Sequence, residues 1–503
     1  MSESVYNLDV KPLTLILLAV SLVAQNAPDR TPTFQIGTRL VEVDVVVQDG
    51  KGAVTGLTKS DFTVLDNGVP QAIAIFSVHE MRNTGTPRPL PPGVVTNRPL
   101  TQKGEPVAGT VILFDRLNTR VEHQGYARLQ ALKYLQRASR NEQIAVYSLN
   151  QKLTVLQNFT NDRDKLIQAV NRSTPEFSLY IDTDPSPVDP SGLHGGNEAG
   201  LDGSPWQQDI TAAAFGTLAR HLSGLPGRKK LVWITESLPI VVGAQGDGRS
   251  VKIEHAIREL DNANVGFYPL DPRGVGPRLT DQNIFAMSTV AQMTGGKAMY
   301  GGNDLAAEIE DVMSDTDLTY TLGFYSTVEK LDGKFHSVTV RVDRSGVDVR
   351  NRGGYLASLP AKPLTELRQH GFLDAWFQEP LEATDLSVRA LAKPIPSRPG
   401  YYQVEVTVDP SELQLVQKNG RRTGSLDLAV VPDVEHRIKG LQQTIRINLT
   451  QAGYLKALAG GITVGNPVKV TDIKGKLLAK NLRVILMDAT SGKVGSVRVP
   501  IGQ

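Results

Sequence analysis

The chain has 503 residues, which at about 150 residues per domain predicts a multi-domain protein with about three domains. Its 54 Lys and Arg residues nearly balance its 52 Asp and Glu residues, and a net charge of +2 argues against a dedicated nucleic-acid surface. Because the chain contains no cysteine, disulfides, zinc–thiolate sites, iron–sulfur clusters and thiol nucleophiles are excluded.

An apolar run, LTLILLAVSLVA, lies near the N-terminus at Leu13–Ala24. Its 12 residues are too few to span a bilayer, which takes about 20, but they fit the apolar region of a signal peptide that is cleaved after Ala24. We therefore predict that residues 1–32 are a signal peptide and linker, and that the protein is exported to the periplasm or outside the cell. A buried strand or a disordered tail is the other interpretation. No other stretch reaches membrane length, so we expect no transmembrane segment in the mature chain.

Residues 33–80 are predicted to form an N-terminal β unit. Valines alternate from Val41 to Val47, which is the period of a half-buried strand, and the Asp66–Gly68 segment is a hairpin signal. The segment is small for a complete sandwich, so other strands should complete it. Residues 81–108 contain six prolines and predict an extended, Pro-rich linker.

Residues 109–326 alternate between apolar runs and helical patterns. The runs Val111–Phe114 and Leu231–Ile234 are apolar throughout, as expected for strands buried on both faces. The alternation predicts a doubly wound, Rossmann-like α/β domain, closed by a last strand at Leu318–Phe324. Residues 174–208, rich in Asp, Pro and Gly, are an insertion loop; the glycine and terminal glutamate of an EF-hand are missing from it.

The remaining chain is predicted to be β-rich. Residues 327–360 contain valines alternating over 338–342 and again at 347–349, which predicts a β-hairpin extension. Residues 361–503 form the predicted C-terminal β-rich domain. Strand patterns at 404–408, 426–430, 445–449 and 482–486 favour a sandwich-like arrangement.

Side chains with oxygen ligands follow two of the buried strands. Asp115 and Thr119 come after Phe114, and Glu236 comes after Ile234. In an open α/β sheet, ligands bind beyond the carboxyl ends of the strands, where the strand order reverses. If these two strands are neighbours, the two acids face each other across that crevice. Thr211, in the helix before the second strand, could point its hydroxyl to the same place.

Several segments resemble a known family when they are taken in order. They are TRLVEVDVVVQDGKGAVTGLTKSDFTVLDNGVPQ, VILFDRLNT, PGRKKLVWITES, FYPLDPRG and LTYTLGFYSTVEKLDGKFHSVTVRV. The chain resembles the VWFA-related family described from acidobacteria, with a central von Willebrand factor A-like domain over 109–326. The resemblance implies an A-type domain flanked by β-rich domains.

The resemblance also implies a metal-ion-dependent adhesion site. The family's Asp-x-Ser-x-Ser loop, Thr and Asp fall here on Asp115, Leu117, Thr119, Thr211 and Glu236, and the implied ligand is Mg²⁺ or another divalent cation. Leucine has no ligand atom, so the site is degenerate, with Asp115, Thr119, Thr211 and Glu236 as the candidate metal ligands. In the purely structural interpretation, the two acids cap helices or pair with Arg116.

Sequence motifs of enzymes are absent from the chain. It contains no G-x-S-x-G elbow, no phosphate-binding loop and no H-E-x-x-H pair. We therefore predict a non-catalytic, adhesion-like protein that recognises a protein or cell-envelope surface and binds no nucleic acid. The alternatives are a structural or assembly component of the cell envelope with a vestigial metal site and, less favoured, a hydrolase with an unrecognised site involving Asp189 and His194.

Overall fold

The computed structural model describes most of the chain after residue 37. The described residues are 38–80, 90–98, 109–138, 142–177, 205–225, 227–239, 249–274, 281–315, 318–327, 334–357, 376–377, 379–434, 440–472 and 474–502. The predicted signal peptide and linker (1–32) lie outside them. So do most of the Pro-rich linker and most of the insertion loop, together with residues 358–375.

Five short strands follow one another in the N-terminal segment, and a sixth lies in the predicted linker. They are β1 Thr38–Asp49, β2 Gly52–Ala53, β3 Phe62–Asp66, β4 Val69–Gln71, β5 Ile75–Glu80 and β6 Val95–Thr96. Between β3 and β4, Asn67 and Gly68 have φ values of 48° and 80°, the left-handed conformation that a tight two-residue hairpin requires. The predicted hairpin is therefore confirmed.

The central segment alternates between strands and helices, as predicted. Its elements are β7 Gly109–Asp115, α1 Val121–Arg137, β8 Gln143–Leu149, β9 Leu153–Thr160, α2 Arg163–Arg172, α3 Pro205–Ser223, β10 Lys229–Ile234, α4 Arg249–Asn262, β11 Val265–Leu270, α5 Asp281–Met293 and α6 Leu305–Ser314. They build a five-stranded sheet with the order β11-β10-β7-β8-β9. The first four strands are parallel, and β9 is antiparallel at the edge.

This sheet is covered by helices on both faces. Val111 and Leu113 of β7 pack into a core with residues of α3, α4 and α5. Ile112 and Phe114 of the same strand pack into a second core with residues of α1, α2 and α6. Successive side chains of a strand point to opposite faces, so a strand that is buried on both sides must be apolar throughout.

The next four strands return to the N-terminal segment. They are β12 Leu318–Thr327, β13 Phe335–Val342, β14 Asp348–Asn351 and β15 Gly354–Leu356. The prediction that Leu318–Phe324 closes the α/β sheet was wrong, because β12 pairs antiparallel with β1 and β5. The hairpin predicted for 327–360 is confirmed only in part: β13 pairs antiparallel with β15 and with β3, but β14, which carries Val349, pairs with β1. These strands and those of the N-terminal segment form two sheets, with the orders β14-β1-β12-β5 and β15-β13-β3-β4. The two sheets share one apolar core, and the small N-terminal β unit is thereby completed.

The C-terminal segment is rich in antiparallel strands. Its elements are β16 Val388–Pro394, β17 Tyr401–Val408, a 3-10 turn Pro410–Glu412, β18 Val416–Lys418, β19 Arg421–Pro432, β20 Leu441–Thr450, α7 Gln451–Gly460, β21 Ile462–Lys469, β22 Asn481–Asp488 and β23 Val494–Pro500. Two sheets, β21-β17-β16-β6 and β18-β19-β22-β23 with β20 beside β19, share one core. The four strand patterns predicted here are confirmed. The linker prediction needs one correction, because β6 is an edge strand of this segment.

The segment after residue 379 joins the central and C-terminal parts. His221 of α3 contacts the Glu382 carbonyl oxygen through Nδ1 at 2.7 Å, and Arg483 of β22 donates to the Leu381 carbonyl at 3.1 Å. The segment is therefore held from both sides. Within the described residues, no helix is long and apolar enough to cross a membrane.

Candidate functional site at the carboxyl edge of the parallel sheet

The two strands that carry the predicted acids are neighbours. Strands β7 and β10 pair in parallel with Phe114 opposite Ile234, so the loops after both strands emerge at the same edge of the sheet. The loop after β7 carries Asp115 to Thr119, and the loop after β10 carries Thr235 and Glu236. The predicted meeting of the two loops is therefore confirmed.

Asp115 is the centre of a buried hydrogen-bond network. Its Oδ1 accepts from the backbone N–H groups of Leu117 (3.0 Å) and Asn118 (2.9 Å). Its Oδ2 accepts from Asn118 Nδ2 (2.8 Å) and from the Thr235 hydroxyl (3.0 Å). Burial raises the pKa of Asp115 to about 6, although these four hydrogen bonds favour the charged form.

Asn118 links Asp115 to the third predicted ligand. The same side-chain amide that donates to Asp115 also lies 3.2 Å from the hydroxyl oxygen of Thr211 in α3. Gln207, one turn earlier in α3, donates to Asn118 Oδ1 at 3.4 Å. The Asn118 side chain is fully buried and therefore holds the loop after β7 against α3.

Glu236 is bound to the start of α1. Its Oε2 accepts from Arg120 N at 3.1 Å and lies 2.8 Å from His123 Nδ1, while Arg120 Nε lies 3.7 Å from Oε1. Burial opposes the charge on Glu236, but the hydrogen bonds from His123 and Arg120 outweigh it and lower the pKa of this carboxyl. The Glu236 hydrogen bond in turn raises the pKa of His123. A carboxylate at a helix N-terminus is also favoured by the helix dipole.

The structure thus brings all four candidate residues to one place. Thr119 completes the set, because its hydroxyl oxygen accepts the backbone N–H of Glu236 at 3.2 Å. In the purely structural interpretation, the acids were expected to cap helices. Glu236 does so, because it accepts the backbone N–H of Arg120 at the start of α1. Arg116, by contrast, pairs with Glu176 at 2.9 Å.

Sequence reasoning missed the residues that tie this network together. Asn118 and His123 bind the candidate acids directly, and Asn283 of α5 donates to the Glu236 carbonyl at 2.9 Å. The only signal in the sequence was that Asn118 lies within the candidate loop. No pattern linked His123 or Asn283 to it.

The residues as arranged do not fit a divalent cation. A carboxylate offers about four lone-pair positions, and N–H groups already donate to three of those on Asp115. The fourth lies 3.0 Å from the Thr235 hydroxyl, whose single proton is shared with the Ser237 carbonyl oxygen at 2.8 Å. The amide of Asn118 lies between Asp115 and Thr211, the two oxygen ligands that a cation would have to bridge. Leu117 is fully buried in the core and has no ligand atom. No cluster of three or more His, Asp or Glu side chains within the described ranges could hold a metal.

A small pocket lies beside Asp115, between the β7 loop, α1 and residues 173–175. Its volume is about 10 Å³, which is room for about one water molecule. Nearby, Arg273 forms two hydrogen bonds with the buried carboxylate of Asp271, at 2.9 and 2.6 Å.

Four exposed aromatic residues lie on segments that are bound at this sheet edge, and we call them the aromatic rim. They are Phe177, Trp206, Phe285 and Tyr300, which are 53%, 40%, 59% and 42% exposed. Each lies one or two residues from a residue that is bound at the sheet edge. These bound neighbours form hydrogen bonds as follows: Glu176 with Gln124, Gln207 with Asn118, Asn283 with Glu236, and Met299 with Asp271. The segments that carry the aromatic rim are therefore bound at the same sheet edge as the network.

Comparison with known proteins gives only distant likenesses. No protein-family model matches the sequence, and no curated protein matches it. Among solved structures, the chain is similar to a von Willebrand factor type A protein from Catenulispora acidiphila, with 9% identity, 89% of this chain and 75% of that chain covered, and a TM-score of 0.26. It is also similar to BatB from Bacteroides thetaiotaomicron, with 10% identity, 42% and 97% covered, and a TM-score of 0.25.

A third similar structure is proximal thread matrix protein 1 from the mussel byssus, described with a zinc-occupied MIDAS motif. It shares 11% identity over 42% of this chain and 46% of that one, with a TM-score of 0.25. A functional argument for this chain therefore depends on its own residues.

Proposed function

We propose that this chain is an exported, non-catalytic recognition protein that binds a protein partner at the carboxyl edge of a doubly wound, A-type α/β domain. The observation that carries the proposal is the aromatic rim around the Asp115 network. Exposed aromatic side chains on a rigid support are typical of protein–protein contact surfaces. Export is proposed from the apolar run Leu13–Ala24.

We further propose that the adhesion site is degenerate and acts without a cation. N–H groups of the protein itself occupy three acceptor positions of Asp115, and the Thr235 hydroxyl lies beside the fourth. The network would then act as a scaffold that fixes the loops carrying the aromatic rim.

Site-specific photo-crosslinking in intact cells tests the proposal. A photoreactive phenylalanine analogue replaces Phe285 in one variant and, as a matched control, Tyr325 of β12, which is 54% exposed, in another. We expect an adduct with one protein from position 285, with and without EDTA, and none from position 325. The purified partner should then bind Phe177→Ala/Phe285→Ala more weakly than the wild type.

Three results would argue against this function. Absence of an adduct from position 285, or equal adducts from positions 285 and 325, would remove the rim as a contact surface and favour a structural role in the cell envelope. An adduct that disappears with EDTA would refute the cation-independent version.

A further inference from the structure

Helix α7 has the reverse of the polarity expected for a helix on a protein surface. Ala457 is its buried residue, and Gly453 and Tyr454 lie half-buried on the same side. Two leucines are exposed: Leu455 by 57% and Leu458 by 43%. A surface helix normally turns its polar residues to water, and Lys456 is the only charged residue in this one.

The segments on either side of α7 are basic, and the acids of the adjoining strands are Asp427 of β19 and Glu405 of β17. Residues 413–426 and 440–471, which include β18 to β21 except the end of β19, contain no Asp or Glu. Their basic residues are Lys418, Arg421, Arg422, Arg446, Lys456 and Lys469. The Arg422 guanidinium lies 4.2 Å from the centre of the Tyr454 ring, so basic charge adjoins the helix itself.

Two acidic residues lie in the neighbouring 3-10 turn, and both are engaged. Glu412 pairs with Arg98 at 2.7 Å. Asp409 accepts hydrogen bonds from the backbone and hydroxyl of Ser411, at 2.8 and 2.7 Å. Neither acid is therefore directed to the basic residues that frame α7.

We propose that α7 and its basic frame dock on an anionic lipid bilayer. Exposed leucines insert at the boundary between headgroups and acyl chains, while Lys and Arg side chains are attracted to anionic headgroups. A helix of 10 residues is about 15 Å long, so it lies in the plane of the surface and does not cross it. A nucleic acid or acidic polysaccharide would use the charges but would leave Leu455 and Leu458 in water.

The absence of cysteine allows a direct test on the full chain. Leu455→Cys gives a single attachment site for an environment-sensitive fluorophore, and Leu129→Cys on α1, where the leucine is 59% exposed, gives the matched control. With vesicles of phosphatidylglycerol and phosphatidylcholine, the label at 455 should shift to the blue and brighten severalfold. Vesicles of phosphatidylcholine alone should have no such effect, and neither should the control position respond. The apolar run Leu13–Ala24 is present in both proteins, so it does not distort the comparison.

A charge variant provides the second arm. In the labelled chain, Lys418→Glu/Lys456→Glu changes two exposed residues and should weaken the response to anionic vesicles by about tenfold or more, with an unchanged unfolding midpoint. Silence at 455, equal responses at 455 and 129, or a response that the charge variant leaves intact would overturn the proposal. A response that needs no vesicles and grows with protein concentration would also overturn it, in favour of contact between two copies of the chain.

Discussion

The stability of this protein should depend on the neutral state of His221. Its ring is buried, with Nδ1 2.7 Å from the Glu382 carbonyl oxygen and Nε2 3.2 Å from the Tyr147 hydroxyl. Burial lowers the pKa of His221 from 6.5 to about 4. In the unfolded chain the ring takes up a proton below about pH 6.5, whereas in the folded protein it stays neutral until about pH 4.

The sign and size of the effect follow from that difference. The stability due to neutral His221 is present above the unfolded pKa and is lost as the pH falls towards the folded pKa. Between pH 7.5 and 4.5 this residue alone should remove about 2.5 kcal/mol from the free energy of unfolding. His221→Phe keeps an aromatic ring beside Phe159 but cannot be protonated, so its stability should lack this part of the pH dependence.

Urea unfolding at pH 7.5, 5.5 and 4.5, followed by tryptophan fluorescence, measures the effect. The control is His255→Gln, because the His255 side chain is 71% exposed and should behave as in the wild type. Equal losses of stability in the wild type and His221→Phe between pH 7.5 and 4.5 would refute the reasoning. So would a flattened pH dependence in the His255 variant.

Three further predictions concern the site and its support. Leu117→Ser introduces a hydroxyl next to the Asp115 loop but removes a fully buried core side chain, so we expect a loss of about 3 kcal/mol in thermal or urea unfolding, with no shift on adding Mg²⁺. Asn118→Asp places a second carboxylate beside Asp115, so the variant should be less stable by about 3 kcal/mol and should regain stability with Mg²⁺. A Mg²⁺-dependent rise in the stability of the wild type would contradict the conclusion that its residues do not fit a divalent cation. In Gly224→Ala the new methyl group would clash with the carbonyl oxygen of Thr384, so the urea midpoint should fall by an amount equivalent to about 3 kcal/mol. An unchanged midpoint would contradict this close packing.

The sequence by itself determined which segments of the central part are strands and helices, and that the candidate acids follow two buried strands. The runs Val111–Phe114 and Leu231–Ile234 are apolar throughout because helices cover both faces of their sheet. The turn after β3 was readable because Asn-Gly adopts the positive φ values that a tight hairpin needs. These are local properties, encoded within a few residues.

Strand partners were decided only by the tertiary structure. The pattern of Leu318–Thr327 gives the face that each side chain occupies but not the neighbouring strand, which is β1, far away along the chain. The same holds for β13 and β14, which alternate like a hairpin and yet pair in different sheets. Pairing of distant strands depends on which apolar faces remain to be covered, and periodicity does not carry that information.

The chemistry of the candidate site was also decided by the tertiary structure. Sequence spacing placed Asp115 and Glu236 at one edge but could not show that Asn118 donates to both Asp115 and Thr211. That hydrogen-bond geometry requires β7, β10 and α3 to pack together first. It determines whether the carboxylate oxygens face a ligand or are already occupied by donors from the protein.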